Sequence, residues 1–485
     1  MSTVRRIASN YFWQALSNIS QKVLSLVILL VLARKLGVEN FGLYSFAFSF
    51  VTTFAIFADF GINLITMREV AKSGAASREF CSNAHTLKII LSLLSFFAIV
   101  FSGFIVGLKP SLLFLVVLAG ISLLLDNVVG LFKGIFFAFE MLKYEFVISF
   151  SNKIVFLLAG FAVIFAGFGL NELLMVSILS SLLSLFVSVY LASRYAVMPS
   201  LSFNVPGLLS VLKLTRLFFL ITLLFGLTAN LDILFLQYFW NEAEVGIYSA
   251  AMRLVSTLGM IAIIFTNSVQ PSMIKFYAHK NQSINTVVWK SVYYLAVLIL
   301  PICVITLFMA RDIVLLFFDT EFLRSALPLS ILVLSSIFSF ALVVFTNALI
   351  SMHQEKKLFM QLVLELLALV MLGLLLIPQK AEVGAAFAVL GAKIISFIIG
   401  YLLIVRYLEK MSLAKIYLKP AAASLLMGVF TMVLAPLGLF VAVPASFAVY
   451  GLIMFLIRGI NDEDISFLKK LLYKKQEQSA NDVGS

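Results

Sequence analysis

Apolar residues run through this chain in fourteen stretches of about 20 residues or more, with short polar gaps between them. They fall near 9–33, 41–65, 86–107, 112–137, 146–168, 172–193, 217–240, 245–270, 289–310, 326–350, 358–377, 383–405, 416–435 and 438–457. A bilayer core is about 30 Å thick, and about 20 apolar residues of helix cross it. Lipid offers no partner to a backbone N–H or C=O, so each stretch must be a helix that bonds its own backbone. The pattern predicts an all-α membrane protein of about fourteen transmembrane helices with almost no soluble mass. The first stretch is too long for a cleavable signal peptide and is followed by Arg34-Lys35 rather than a small-residue cleavage site.

The gaps alternate between basic and nearly neutral. Of the 35 Lys and Arg, about six lie on the neutral side: Arg34, Lys35, Lys109, Arg311, Arg324 and Lys380. Lys22, Arg253 and Lys393 are read as lying deep inside stretches, and the others as gathering at the N-terminus, in or towards the alternate gaps and in the C-terminal tail. Lys and Arg mark cytoplasmic loops. The expectation is a multi-pass cell-membrane protein with both termini in the cytoplasm. The longest gaps, 66–85, 194–216 and 271–288, are on the basic side, and none is large enough for a folded domain. The longest opposite gap, about 311–325, is too short for a catalytic domain, which argues against a membrane glycosyltransferase, polymerase or ligase.

Gly42-Leu43-Tyr44-Ser45 is echoed by Gly246-Ile247-Tyr248-Ser249, and each copy opens an even-numbered helix from the same side. Glu140-Met141-Leu142-Lys143 is more weakly echoed by Gln354-Glu355-Lys356-Lys357. Helices 1–6 and 7–12 then read as parallel repeats, related by a pseudo-two-fold along the membrane normal, with a substrate site between them near the midplane. The expected organisation is an N-lobe at 1–200, a C-lobe at 201–410, helices 13 and 14 at 411–460 and a basic tail at 461–485. In the tail, Ile465, Leu468, Leu471 and Leu472 share one helical face suited to an anionic leaflet.

Composition adds exclusions. The chain is 62% hydrophobic, against about 45–50% in soluble domains. The net charge of +12 sits beside helix ends, so membrane lipid is the expected partner and nucleic acid is not. Cys81 is expected in a loop and Cys303 in a helix, so no disulfide is expected. His85, His279 and His353 fall in separate gaps without metal-ligand spacing. No Walker loop is present, so ATP is not the direct driver. No cofactor is expected, and coupling to H⁺ or Na⁺ is left open.

An ionisable side chain at membrane depth is costly and marks function by default. Lys22, Arg253 and Lys393 lie roughly 12–17 Å below the outer surface at 1.5 Å of rise per residue. They are the candidates for binding an anionic group in a central cavity, because an anion leaving water must meet positive charge. Asp126, Asp232 and Glu365 lie at similar depths, so each cation could instead pair with a carboxylate. Asp232 and Arg253 are matched in depth across a short gap. Asp59, deeper, is a further candidate for ion coupling or pairing, with Arg68 or Lys72 as partner.

The runs Leu32-Ala33-Arg34-Lys35-Leu36-Gly37, Phe41-Gly42-Leu43-Tyr44, Ala58-Asp59-Phe60-Gly61-Ile62 and Arg68-Glu69-Val70-Ala71 resemble polysaccharide exporters of the Wzx type. The stretch from Asn230 to Arg253 is similar to the start of their second half. The resemblance covers roughly residues 1–410. It implies two six-helix lobes around a central cavity that move a polyprenyl-diphosphate-linked oligosaccharide from the inner to the outer leaflet by alternating access. Many such exporters have twelve helices, and fourteen leans toward the lipid II flippase architecture or toward the longer exporters found in archaea and some bacteria. The expected partners are that lipid-linked oligosaccharide and membrane lipids. A monomer is expected, with association with glycan-assembly proteins left open. A cation-coupled multidrug exporter of the same superfamily is the alternative.

Overall fold

The computed structural model describes residues 3–73, 78–279 and 283–459, and shows no β-strand among them. These residues form thirteen α-helices: α1 (Thr3–Asp59), α2 (Ile62–Ser73), α3 (Arg78–Val106), α4 (Pro110–Ala138), α5 (Leu142–Phe165), α6 (Leu170–Tyr195), α7 (Val205–Phe239), α8 (Glu242–Ala278), α9 (Ser283–Phe317), α10 (Ala326–Ser351), α11 (Glu355–Ile404), α12 (Leu413–Leu434) and α13 (Leu439–Leu456). Three of them contain a break: α9 is kinked at Met309 (φ −117°, ψ 21°), and the other two are long enough to be double. The backbone of α1 leaves helical geometry at Gly37 (φ 73°, ψ 176°), and that of α11 does so at Ala381 (φ 45°, ψ −127°). Twelve stretches are long and apolar enough to cross a membrane, and 12–59 and 355–404 among them contain these breaks. With both divided, the fourteen spans of the hydrophobic pattern are recovered.

The break in α11 brings backbone against backbone. A Cβ at Gly384 would sit 2.2 Å from the Leu376 carbonyl oxygen, so only glycine fits. Ala381 itself holds a positive φ that an L-residue adopts only under strain.

The gap expected at 66–85 is largely helical. The second span ends at Asp59 rather than near 65, Phe60 and Gly61 take positive φ (47° and 77°), and α2 follows. The physical reason is a small core. Ile62 and Val70 pack with Cys81, Ala84, Leu87, Leu131, Ile135 and Val211, so this segment has an apolar face that a solvated loop would waste. Cys81 and His85, expected in a loop, lie in α3, and Cys81 is fully buried.

The chain divides into two compact units, Met1–Leu234 and Phe235–Ser485. Each contains one copy of the Gly-aliphatic-Tyr-Ser motif. Gly42 lies just after the Gly37 break, and Gly246 lies at the start of α8. Ser45 and Ser249 are both buried, and neither hydroxyl has a hydrogen-bond partner among the described residues. The weaker echo becomes a shared helix end. After α4, Met141 N–H donates to Phe136 O and Glu140 N–H to Phe137 O; after α10, Gln354 N–H donates to Leu349 O and His353 N–H to Ile350 O. Glu140 (φ 55°) and His353 (φ 56°) occupy the left-handed position of this Schellman cap. The register is therefore Glu140 with His353, one residue from the match suggested by the sequence.

In the second unit, α12 and α13 dock on α9 through Val304, Ile305, Met309, Ala423, Met427, Ala442, Tyr450 and Met454. Tyr450 donates to the Val297 carbonyl at 2.8 Å, and Thr431 to Ser446 at 2.9 Å. Their other faces expose Leu425, Val433, Phe440 and Phe455. That much bare apolar surface belongs in lipid. The amphipathic pattern at 465–475 lies outside the described residues.

Candidate functional site

Charge inside the helices gathers in a few places, each tied to a local feature of the backbone. In the first unit, Lys88 of α3 is fully enclosed, and its Nζ lies 2.6 Å from Asp59 Oδ1 and 2.5 Å from Asn63 Oδ1. Asp59 ends α1 and Asn63 starts α2, so one ammonium bridges the two sides of the Phe60–Gly61 break. The close approach depends on α4. A Cβ at Gly130 would lie 2.9 Å from Asn63 Nδ2, and one at Gly134 would lie 3.3 Å from Asn63 O. Small residues four apart let a broken segment lie against a helix. Lys88, rather than Arg68, is the partner of Asp59.

A second cluster lies between α4, α5 and α6. Asp126 Oδ1 is 3.5 Å from the Asn152 amide. Asp126 also accepts from Ser181, with Lys133 and Lys153 in its electrostatic surroundings. Lys133 in turn faces Glu145, which is buried and accepts from Ser149 at 2.6 Å. Only Asp126 of this group stood out in the sequence. The signal for the others was present: Lys133 follows Asp126 by seven residues, and Asn152 and Lys153 follow Glu145 by seven and eight, which is helical spacing for one face.

In the second unit, Lys393 Nζ lies 2.5 Å from Glu365 Oε1, and Ser396 donates to Glu365 Oε2 at 2.6 Å. Gln361 donates to Ser396 at 3.2 Å. Two sequence-predicted residues thus come together as a charge pair. Both oxygens of Glu365 are engaged, whereas Lys393 is 30% exposed.

Lys22 is exposed on α1 and forms no ion pair among the described residues. Asp232 is buried in α7 and accepts from the Ile233 N–H at 2.9 Å. The carbonyl of Arg253 accepts from Ser256 and Thr257, and neither Arg253 nor Asp232 is without further interactions. Lys22 and Asp232 belong to the first unit, Arg253 and Lys393 to the second.

The comparisons with known proteins bear on these helices directly. Residues 7–276, more than half of the chain, match the sequence model of a family described as "Polysaccharide biosynthesis protein". The chain belongs to this family. No curated protein matches it in sequence. Among solved structures it is similar to the lipid II flippase MurJ in an inward closed conformation, with a TM-score of 0.73 and 16% identity over 95% of this chain and 99% of that one. An inward-facing multidrug resistance MATE family transporter of the MOP superfamily gives 0.59 and 16% over 84% and 98%. The eukaryotic MATE transporter AtDTX14 gives 0.54 and 13% over 87% and 98%. At these identities the likeness is one of fold, and the chain has the MurJ- and MATE-like helical fold.

This family member carries a further charged group that its sequence disguised as surface charge. Arg324 donates to both Glu244 oxygens, at 3.0 and 2.9 Å, and to Glu382 Oε1 at 2.9 Å. Ser325 donates to the Ile247 carbonyl at 2.7 Å, and the Trp240 indole to the Ile377 carbonyl at 2.7 Å. The strained Ala381 directly precedes Glu382. Arg324 thus ties the α7–α8 turn, the Thr320–Ser325 turn and the α11 break into one knot. A bidentate guanidinium is suited to this role and an ammonium is not.

Proposed function

We propose that this chain is a transporter that moves a polyprenyl-diphosphate-linked oligosaccharide from the inner to the outer leaflet by alternating access, for cell-surface glycan assembly. The match of residues 7–276 to the polysaccharide biosynthesis family carries the reading. The likeness of fold to a lipid II flippase over nearly the whole chain supports it. Lys22, Arg253 and Lys393 attract the diphosphate, and the partly exposed Lys393 keeps donors free beyond Glu365. Coupling to H⁺ or Na⁺, where it operates, falls to Asp59, Asp126, Asp232 or Glu365. The chain sits in the cell membrane with both termini in the cytoplasm, and no covalent step is assigned to it.

Export of a drug-like cation is the second reading, favoured by the MATE transporters that share the fold. Cells lacking the chain distinguish the two. Under the flippase reading they accumulate lipid-linked oligosaccharide on the cytoplasmic leaflet and keep ordinary drug tolerance. Normal surface glycan together with drug sensitivity would reverse the assignment.

A further inference from the structure

A cavity of about 490 Å³ opens in the second unit where α9 and α12 begin and α13 ends. Its wall carries Lys290, Lys415, Lys419 and Arg458 beside Trp289 and Tyr293, and among the described residues none that lines it is acidic. From this we propose that the cavity binds the phosphate headgroup of an anionic phospholipid.

The site is built rather than incidental. The Trp289 indole donates to the Glu409 carbonyl at 3.0 Å, and the Tyr293 hydroxyl to the Gly459 carbonyl. Both rings are thereby fixed at the helix ends, the depth at which Trp and Tyr sit in membranes. Lys419 donates to the Arg458 carbonyl at 2.9 Å. An ammonium has three N–H donors, so two remain. Lys415 lies one turn earlier on the same face of α12, and the exposed Leu418 beside it continues the wall as apolar surface. Cations and exposed hydrocarbon side by side in one wall match a phospholipid, whose phosphate and acyl chains meet at this level. A soluble anion would use only the cations. The site is independent of the lysine–carboxylate pairs and of the transport proposal.

The test uses the purified full chain, stripped of lipid in detergent. It is titrated with cardiolipin, phosphatidylglycerol or phosphatidylethanolamine, with inorganic phosphate and pyrophosphate as parallel probes, and bound lipid is counted by native mass spectrometry. The anionic lipids should be retained well above phosphatidylethanolamine, and phosphate should not displace them at equal concentration. Each lysine near an anionic surface is worth about a fivefold change in affinity. Lys415→Gln with Lys419→Gln should therefore weaken retention about thirtyfold, and Lys415→Arg with Lys419→Arg should restore it. Arg458→Gln gives a second, single-site variant, and thermal melting without lipid checks that each variant is folded. Equal retention of all three lipids, or unchanged affinity in the folded Gln variants, overturns the proposal. So does free phosphate binding as tightly as lipid. Failure of the wild-type chain to retain any anionic lipid overturns it too, and would point to neutralisation by the chain itself, Asp462 to Asp464 being the nearest acidic run in sequence.

Discussion

Lys88–Asp59 and Lys393–Glu365 are chemically the same pair, at 2.6 and 2.5 Å, turned in opposite directions. In the first unit the lysine is fully enclosed and the aspartate is 31% exposed; in the second the lysine is 30% exposed and the glutamate 5%. An enclosed ammonium whose contacts are Asp59 and Asn63 has a structural task, holding a broken helix together. A half-open ammonium anchored from behind by a carboxylate engaged on both oxygens is presented outward. The difference shows that membrane depth alone does not separate a functional charge from a structural one. What separates them is which partner of the pair remains accessible.

The largest expected effect follows from stranding the enclosed member. Asp59→Ala leaves Lys88 buried with Asn63 alone, and breaking a buried pair from one side costs about 3–5 kcal/mol. Thermal melting in detergent should show a large loss, and Asp59→Leu combined with Lys88→Met should recover much of it. An Asp59→Ala protein as stable as the parent would remove the structural reading of this pair. Glu365→Gln is expected to do less, about 1–3 kcal/mol, because Lys393 can turn toward its open side and Ser396 keeps an acceptor. If that variant melts lower than Asp59→Ala, the contrast between the two sites is wrong.

Smaller effects sharpen the same comparison. Ala381 holds a strained backbone of a kind that costs about 1–3 kcal/mol. Glycine relieves that strain and adds unfolded-state entropy worth about 0.5–1 kcal/mol, so Ala381→Gly should raise stability by roughly 1 kcal/mol. A lower melting temperature would mean that the Ala381 side chain, and not Arg324 with Glu382, holds the break. Ser45→Ala and Ser249→Ala remove hydroxyls that lack hydrogen-bond partners among the described residues. Each should stay within about 0.5 kcal/mol of the parent, and a larger loss in only one of them would show that the two motif copies have different tasks.

The fourteen spans were legible because hydrophobic length is a strong signal and lipid permits little else. The last pair, expected at 416–435 and 438–457, matches α12 and α13 closely, with the turn at Ala435–Leu437 where Pro436 predicts it. What hydropathy does not register is interruption within an apolar run. The second span was extended to about 65 because Phe60, Ile62 and Ile65 are as apolar as a helix interior, although the backbone turns at Phe60 and Gly61. The third stretch reads as starting at 86 whereas α3 starts at Arg78, which sets Lys88 at the edge of a supposed loop, where a lysine attracts no notice, and leaves Asp59 with the wrong partner. Arg324 was hidden the same way, as one charge in an outer gap, because its two glutamates come from turns distant in sequence. The pairing of Glu365 with Lys393 was within reach, since both were placed at one depth.

The central claim is movement of a lipid-linked oligosaccharide, and reconstitution measures it directly. Purified protein is placed in vesicles that carry a polyprenyl-diphosphate oligosaccharide in both leaflets, and an added glycosidase reports the fraction accessible from outside. The account predicts that the parent chain exposes the protected half and that Lys393→Gln placed in a Glu365→Gln background, where no buried carboxylate is stranded, slows this at least about tenfold relative to Glu365→Gln alone while melting near it, one neutralised phosphate contact being worth about 1.5–3 kcal/mol. A protected fraction that stays as large as in protein-free vesicles, with the folded protein present, would contradict it.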